Sequence, residues 1–189
     1  MSELCIRLVL PDPDRFDAWR DAVRDFAGTG MDGSGYAAGE ALDPAPEDFA
    51  QYLAARAAEA DETRPPAPGR VHCSYTWIVG EDWEGGGPLL GFAALRHRLN
   101  TFLLDQGGHI GYSVRPAARR RDVATAALRL LLEDAGARGI DPVLVTCLEE
   151  NVGSRAVIDA AGGSCEDSRS GHRRFWFGGR PWPSRPDVP

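Results

Sequence analysis

The sequence predicts an α/β fold, with a mixed sheet and helices on both of its faces. The main observation is a strand–helix–strand unit within residues 109–163. Its first strand is predicted at Ile110–Val114. Its second is the apolar run Val143–Leu148, whose lack of alternation is typical of a strand covered on both faces. A strand, a helix and a strand in this order form a right-handed parallel unit, so at least two strands of the sheet are expected to be parallel.

A helix is predicted between these two strands, over about 118–138. Val123, Ala127, Leu131 and Ala135 recur every four residues and form one apolar stripe at helical spacing. Such a stripe packs against a sheet, so this helix is expected to cover one face of the predicted unit.

The remaining elements follow from the same two periodicities. Apolar residues at helical spacing predict three further helices, and alternation or short apolar runs predict five further strands. The helices are predicted at about 14–26, 46–60 and 151–161, and the strands at 4–10, 71–79, 89–98, 165–169 and 172–177. The segment 28–46 is rich in Gly, Ala and Asp and is predicted to be a loop, from which Met31, Tyr36 and Leu42 could line a pocket.

Length and composition predict one domain, residues 1–178, followed by a Pro-rich tail, residues 179–189. The net charge of −7 argues against nucleic acid as a partner. It mildly favours cationic or amine substrates, although an acidic surface that only promotes solubility is the more common explanation. No apolar run approaches 18 residues and the first residues lack the features of a signal peptide, so neither a membrane span nor secretion is expected. The four cysteines show no zinc-ligand spacing, which favours free thiols in a cytoplasmic protein without a metal site.

The turn before the predicted central helix is expected to bind an anion. The first backbone N–H groups of a helix have no partner within it, and together with the helix dipole they attract anions such as phosphate. Arginine side chains at this turn strengthen the prediction, because guanidinium groups suit phosphate oxygens. The turn consists of Arg119, Arg120, Arg121, Asp122, Val123 and Ala124.

This segment resembles the pyrophosphate-binding loop of the GNAT acyltransferase superfamily, whose pattern is Gln/Arg-x-x-Gly-x-Gly/Ala. Arg119 matches its first position and Ala124 its last, while Asp122 stands where the pattern has glycine. Asn151 and Ser154, after the second strand, also match the family. Asp122 either repels the phosphates, by roughly 1 kcal/mol at about 4 Å in water, or turns outward and favours the helix N-terminus.

A second part of the resemblance lies before the central unit. The segment 96–100 reads Arg-His-Arg-Leu-Asn and precedes Gly-Gly-His-Ile-Gly-Tyr-Ser-Val-Arg-Pro at 107–116, as in a subgroup of bacterial N-acetyltransferases. The resemblance implies a mostly antiparallel sheet whose central parallel pair splays apart to hold the acyl thioester. It also implies acetyl-CoA as the acyl donor, bound by Ser113, Val114, Arg119, Arg120, Arg121, Asp122, Val123, Ala124, Thr125, Asn151 and Ser154.

His109 is the candidate catalytic base, because it stands where many of these sequences carry glutamate and because histidine titrates near neutrality. The alternative is a histidine at a strand start that hydrogen-bonds to the backbone. Glu149 and Glu150 are other candidate bases, or simply a solvated acidic turn. The family's usual general acid is a tyrosine at the position of Ile158, so Ser154 or a water is the candidate acid here.

Two further side chains of the central unit have weaker claims to a role in catalysis. Tyr112 is expected to pack, because it alternates with Ile110 and Val114. Cys147 is expected to be a buried thiol rather than an acyl-carrying nucleophile.

The acceptor is expected to be a primary amine of a small molecule, acetylated by direct transfer. Arg96, His97 and Asn100 are predicted to face its pocket, although ordinary strand-edge polarity explains them equally well. Two other functions remain open at this point: a GNAT-fold sensor or interaction protein with weak catalysis, and a transferase that uses a different acyl donor. A homodimer is possible, as is common in the family.

Overall fold

The computed structural model describes residues 5–27, 29–36 and 45–179. Within them the chain forms one seven-stranded sheet and four α-helices. The strands are β1 (Ile6–Val9), β2 (Cys73–Gly80), β3 (Leu89–Arg96), β4 (Ile110–Val114), β5 (Val143–Leu148), β6 (Ser164–Arg169) and β7 (His172–Phe177). The helices are α1 (Phe16–Phe26), α2 (Pro46–Ala60), α3 (Val123–Ala137) and α4 (Val152–Ala160).

The sheet has the strand order β1-β2-β3-β4-β5-β7-β6. Every neighbouring pair is antiparallel except β4 and β5, which are parallel. The predicted fold class, a mostly antiparallel mixed sheet with a central parallel pair, is confirmed. The parallel pair is joined by α3, as the strand–helix–strand pattern predicts.

Two apolar clusters cover the two faces of the sheet. On one face, α1 and α2 pack an aromatic cluster onto β2 and β3, with Trp19, Phe49 and Trp77 among its members. On the other face, α3 and α4 pack aliphatic side chains such as Leu128 and Ile158 onto the central strands. Fully burying one such side chain contributes about 1.5–3 kcal/mol, so the two clusters fix the sheet between the two pairs of helices.

The start of α3 differs from the prediction. The helix begins at Val123 rather than near Ala118, because Arg120 and Asp122 adopt left-handed backbone conformations with φ of 58° and 56°. A residue at positive φ cannot continue a right-handed helix. Residues 116–118 form instead a single 3₁₀ turn, and an irregular loop leads into α3.

Smaller differences concern strand ends and connections. β1 is shorter than predicted at both ends, β2 begins two residues later than predicted and β3 ends two residues earlier. The predicted connection between β3 and β4 contains a π-helical turn, Leu103–Gly107. The predicted Pro-rich tail lies outside the described residues except for Gly179, and the single domain over residues 1–178 stays a prediction.

β4 and β5 pair at one position only, Ile110 with Val145. His109 holds the strands together at this end, since its backbone N–H donates to the Leu144 carbonyl at 2.7 Å and its ring Nδ1 accepts the Leu144 N–H at 2.9 Å. Beyond Val145 the two strands diverge, and a gap opens between Tyr112 on β4 and Cys147 on β5.

We predict that His109 makes the stability of the fold depend on pH. Burial, assisted by the charge of Arg96, lowers the pKa of His109 to about 4, while an unfolded histidine titrates near 6.5. The stabilisation is therefore present above pH 6.5 and is lost as the pH falls from 6.5 towards 4. Between pH 7 and pH 5 the loss amounts to about 2 kcal/mol in the free energy of unfolding.

Urea unfolding of the wild type and of His109→Asn at pH 7 and pH 5 measures this effect. The Asn amide oxygen can accept the Leu144 N–H but does not titrate, so the variant should lose about 2 kcal/mol less than the wild type on acidification. Burial also lowers the pKa of His97. This residue is present in both proteins, so its contribution to the pH dependence cancels in the comparison. His172→Asn controls for the loss of a histidine elsewhere, and equal pH dependence in the wild type and His109→Asn would contradict the prediction.

Candidate active site

A cavity of about 470 Å³ lies at the N-terminus of α3, where it opens onto the gap between β4 and β5. We call it the α3 cavity. It brings together every residue that the sequence predicts for the acyl donor except Arg121, which does not line it. Those residues are Ser113, Val114, Arg119, Arg120, Asp122, Val123, Ala124, Thr125, Asn151 and Ser154.

The backbone of the loop before α3 suits an anion. Asp122 is the N-cap residue of α3, but its side chain makes no capping hydrogen bond, so the N–H groups of the first helical turn are not occupied by it. Its positive φ explains why the family pattern has glycine here, and aspartate is among the residues that best tolerate this conformation. Arg119 fixes the other end of the loop, because its Nε donates to the Val114 carbonyl at 2.9 Å.

The edge of β4 that faces the gap offers backbone hydrogen-bonding groups. The N–H of Arg96 donates to the His109 carbonyl and the N–H of Arg115 donates to the Leu90 carbonyl, which fixes the register between β3 and β4. Because backbone direction alternates along a strand, the amide groups of Tyr112 and Val114 point away from β3 and towards the gap. A ligand that carries amides could pair with this edge as an added strand does.

Tyr112 and Ser154, at the inner end of the α3 cavity, form a cluster with Cys147 of β5. The Tyr112 Oη and Ser154 Oγ atoms lie 3.1 Å apart, and the Asn151 side chain holds the N–H of Ser154 at 2.9 Å as the N-cap of α4. Burial raises the pKa of Tyr112 to about 12, so its hydroxyl remains protonated. Burial also raises the pKa of the Cys147 thiol, although a hydrogen bond from Ser154 opposes this. Tyr112 packs, as the sequence predicts, but it also presents a hydroxyl to the cavity.

The gap itself forms a second cavity of about 260 Å³, which we call the gap cavity. A third, also of about 260 Å³, continues from it towards β2 and is called here the outer cavity. Asp32 lines all three cavities and Tyr112 lines both the α3 and gap cavities, so the three spaces meet at these residues. Asp32 is exposed.

The loop that carries Asp32 lies against β4 through two glycines. Gly33 has a φ of +83°, and a Cβ atom built on it would be 2.5 Å from the Gly111 carbonyl oxygen. Only glycine permits this approach. Sequence reasoning missed Asp32, although an acidic residue followed by glycine within the predicted loop (Met-Asp-Gly-Ser-Gly) was the available signal.

The predicted acceptor residues are separated from one another. Arg96 lines both the gap cavity and the outer cavity. Asn100 reaches the outer cavity, but its amide is engaged with the Gly69 carbonyl and the Leu103 N–H. His97 bridges Ser74 at 2.8 Å and Glu62 at 2.7 Å, away from the gap.

Among the three predicted loop residues, Tyr36 lines the outer cavity. Met31 packs against the aromatic cluster. Leu42 lies outside the described residues.

His109 does not reach the gap. It lines a different cavity, of about 1010 Å³, at the C-terminal end of α3, and we call this the far cavity. Its Nδ1 lone pair accepts the Leu144 N–H, so in the neutral ring Nε2 carries the proton and no nitrogen can take another. These contacts argue against His109 as the base and agree with the hydrogen-bonded alternative, and the residue is only 7% exposed.

The structure also gives the positions of the other candidate catalytic residues. Glu149 and Glu150 form an exposed turn after β5 and line none of the α3, gap and outer cavities. Ile158 is fully buried in the aliphatic cluster. Ser154 stands between the Tyr112 hydroxyl and the Cys147 thiol.

Two negative findings concern the described residues. None of their helices is long and apolar enough to cross a membrane. Within 5–27, 29–36 and 45–179 there is also no group of three or more His, Cys, Asp or Glu side chains that could hold a metal ion.

Comparison with known proteins gives both a family and structural neighbours. The family model described as "Acetyltransferase (GNAT) domain" matches residues 9–164. No curated protein matches the sequence significantly. Among solved structures, RimL, a ribosomal L7/L12 alpha-N-protein acetyltransferase in complex with CoA, is 13% identical with a TM-score of 0.63, and the match covers 94% of this chain and 96% of RimL.

Two further structures show the same fold. RimJ from Mycobacterium smegmatis, in complex with CoA-disulfide, is 20% identical with a TM-score of 0.62, over 91% of this chain and 81% of RimJ. The microcin C7 self-immunity acetyltransferase MccE, in complex with acetyl-CoA and AMP, is 12% identical with a TM-score of 0.59, over 92% of each chain. Since the family model spans most of the sequence and the splayed parallel pair is present, this chain belongs to the GNAT acetyltransferase family, whose acyl donor is acetyl-CoA.

Proposed function

We propose that the protein transfers the acetyl group of acetyl-CoA directly to a primary amine of a small molecule. The observation that carries the proposal is the meeting of the α3 cavity and the gap cavity at Tyr112, Ser154 and Asp32. A donor in the first cavity and an acceptor in the second would face each other there without an intermediate carrier.

The donor side fits acetyl-CoA. The N-terminus of α3, with Arg119 and Arg120 beside it, would hold the pyrophosphate, and the backbone edge of Tyr112 and Val114 would pair with the amides of the pantetheine arm. Bound in this way, acetyl-CoA supplies an activated thioester at the gap. Asn151 and Ser154, at the start of α4, would border the same arm.

The acceptor amine must lose its proton before it attacks, because a lysine-like amine has a pKa near 10.4. Asp32 is the acidic residue that lines both the donor and the acceptor spaces. Its carboxylate would hold the incoming ammonium group, and a water bound to the carboxylate would carry the proton on to solvent, so that the neutral amine attacks the thioester. This replaces His109 as the proposed base.

Tyr112 is proposed to stabilise the leaving thiolate. Its pKa of about 12 lies above that of a thiol, near 8.5, so complete proton transfer to the thiolate would be uphill by about 5 kcal/mol. A hydrogen bond from the Tyr112 hydroxyl, aligned by Ser154, stabilises the developing negative charge without that transfer. Cys147 has no part in this sequence of steps.

The size of the acceptor space supports a small molecule. The gap and outer cavities measure about 260 Å³ each, which suits a metabolite-sized amine. A protein N-terminus is the second candidate acceptor, because RimL acts on a ribosomal protein. A cytoplasmic location and a homodimer stay predictions.

Removing the charge of Asp122 should strengthen binding of acetyl-CoA. Asp122→Asn keeps a residue that tolerates positive φ but removes a negative charge near the pyrophosphate, which is expected to lower Kd about fivefold. Asp122→Gly should act in the same direction. Calorimetric titration measures Kd, with Asp134→Asn near the other end of α3 as the matched control. A Kd that rises in Asp122→Asn would contradict the expectation and assign the carboxylate a favourable role at the helix N-terminus.

Tyr112→Phe should reduce kcat by about 10- to 100-fold with little change in the Kd for acetyl-CoA, because the lost hydrogen bond acts on charge that develops during the reaction. Steady-state kinetics and calorimetry measure the two quantities. Tyr52→Phe, which removes a buried hydroxyl from α2, is the control. Unchanged kcat in Tyr112→Phe would exclude the proposed role.

Asp32→Asn should lower kcat/KM for the amine by about 100-fold or more while the Kd for acetyl-CoA stays within about twofold. Both the ammonium contact and the carboxylate that binds the water are lost in this variant. Asp17→Asn, an exposed acidic residue of α1, serves as the matched control. If Asp32→Asn retains wild-type kcat/KM, another group must take the proton.

A further inference from the structure

Two residues of opposite charge line the acceptor side of the site. Asp32 and Arg96 both line the gap cavity and the outer cavity. A Cβ atom built on Gly111 would lie 3.3 Å from the Gly33 nitrogen and 3.5 Å from Arg96 Nη2. The guanidinium of Arg96 therefore lies close to the loop that contains Asp32. The two meet above the backbone of Gly111, which has no side chain to separate them.

Arg96 is held rigidly but keeps donors available. Its Nη1 donates to the Gly107 carbonyl at 2.8 Å and to the Gly108 carbonyl at 3.2 Å, which fixes the plane of the guanidinium. The Nη2 atom points to the space above Gly111. Since carbonyls carry no net charge, the positive charge of Arg96 is not neutralised by these bonds.

The other acidic residue that lines the outer cavity, Glu59, already has partners. Glu59 pairs with Arg56 at 2.8 Å and with Arg70 at 3.6 Å, and it accepts a hydrogen bond from the Tyr75 hydroxyl at 2.7 Å. Over the part of the chain that the structure describes, Arg96 forms no ion pair with a carboxylate. A half-buried guanidinium without a carboxylate is suited to bind one from a ligand, because its planar donors match carboxylate geometry.

An apolar surface lies beside the two charges. Phe102 is 62% exposed and lines both the gap cavity and the outer cavity. Large exposed aromatic side chains next to polar groups are typical of ligand sites. Phe102 would contact the carbon skeleton of a molecule held at both ends.

We infer that the acceptor is a small amino carboxylate, whose ammonium group binds Asp32 and whose carboxylate binds Arg96. This inference rests on the proposed function and narrows its substrate class. It disfavours polyamines, because a second cationic group would meet Arg96 and, further along the outer cavity, Arg70. It also disfavours a protein N-terminus, which carries a peptide carbonyl in place of the carboxylate.

The test measures kcat/KM for matched acceptors. Each set holds an amino acid, its amide and the amine that lacks the carboxyl group, with α-, β- and γ-amino acids to cover different charge spacings. A polyamine and a short peptide complete the panel. The wild type should prefer one of the amino carboxylates over its amide by about tenfold or more, because a carboxylate–guanidinium contact is charge-assisted.

Arg96→Gln should abolish this preference, lowering kcat/KM for the amino carboxylate about tenfold or more and leaving the amide nearly unchanged. Arg98→Gln, an exposed arginine that lines the far cavity, is the matched control. Melting temperature and the Kd for acetyl-CoA show whether each variant is folded with its donor site intact.

The outcomes separate the two proposals. Amides, polyamines or peptides acetylated as well as the amino carboxylates would overturn the inference and leave the proposed function standing. A preference that survives in Arg96→Gln would also overturn it. Failure of every amine in the panel, in a protein that binds acetyl-CoA, would overturn the proposed function itself.

Discussion

The structure depends on the single point at which β4 and β5 are paired. Parallel strands ordinarily form an evenly spaced ladder, but here Ile110 and Val145 are the only partners. The two bonds between His109 and Leu144 secure that point, and the Thr146 hydroxyl adds a bond to the Gln106 carbonyl beside it. The α3, gap and outer cavities all lie on one side of this junction, and the far cavity lies on the other.

The divergence has two consequences that a regular sheet could not provide. It leaves the backbone amide groups of Tyr112 and the N–H of Val114 directed at an open space inside the molecule, whereas buried polar groups normally have partners. It also connects the cavity at the N-terminus of α3 with the cavities on the other side of the sheet. His109 thus has a structural role, because a neutral buried imidazole can join the two strands at this point without introducing a charge.

The sequence predicts the fold class well, and the residues it proposes for the donor line one cavity, because both depend on short segments. Periodicity locates every strand, and the residues of 119–125 are neighbours in the chain as well as in space. The start of α3 was misjudged because the left-handed conformations of Arg120 and Asp122 leave no trace in an apolar pattern. The acceptor side depends on contacts between distant segments, such as Gly33 with Gly111, which periodicity does not report. His109 shows a further difficulty. The presence of a histidine in a sequence does not reveal whether its ring nitrogen already accepts a hydrogen bond from the backbone, as Nδ1 does here.

The contact between Gly33 and Gly111 has a consequence for how such an enzyme could change. The loop before Tyr36 touches β4 through backbone alone, with no side chain of its own inserted into the sheet at that point. Substitutions or insertions in this loop can therefore change the residues around Asp32 without changing the strands or the N-terminus of α3. Because Asp32 of this loop also lines the α3 cavity, a chimaera that exchanges this loop alone between two members of the family would show how far the range of acceptors can change while donor binding is kept.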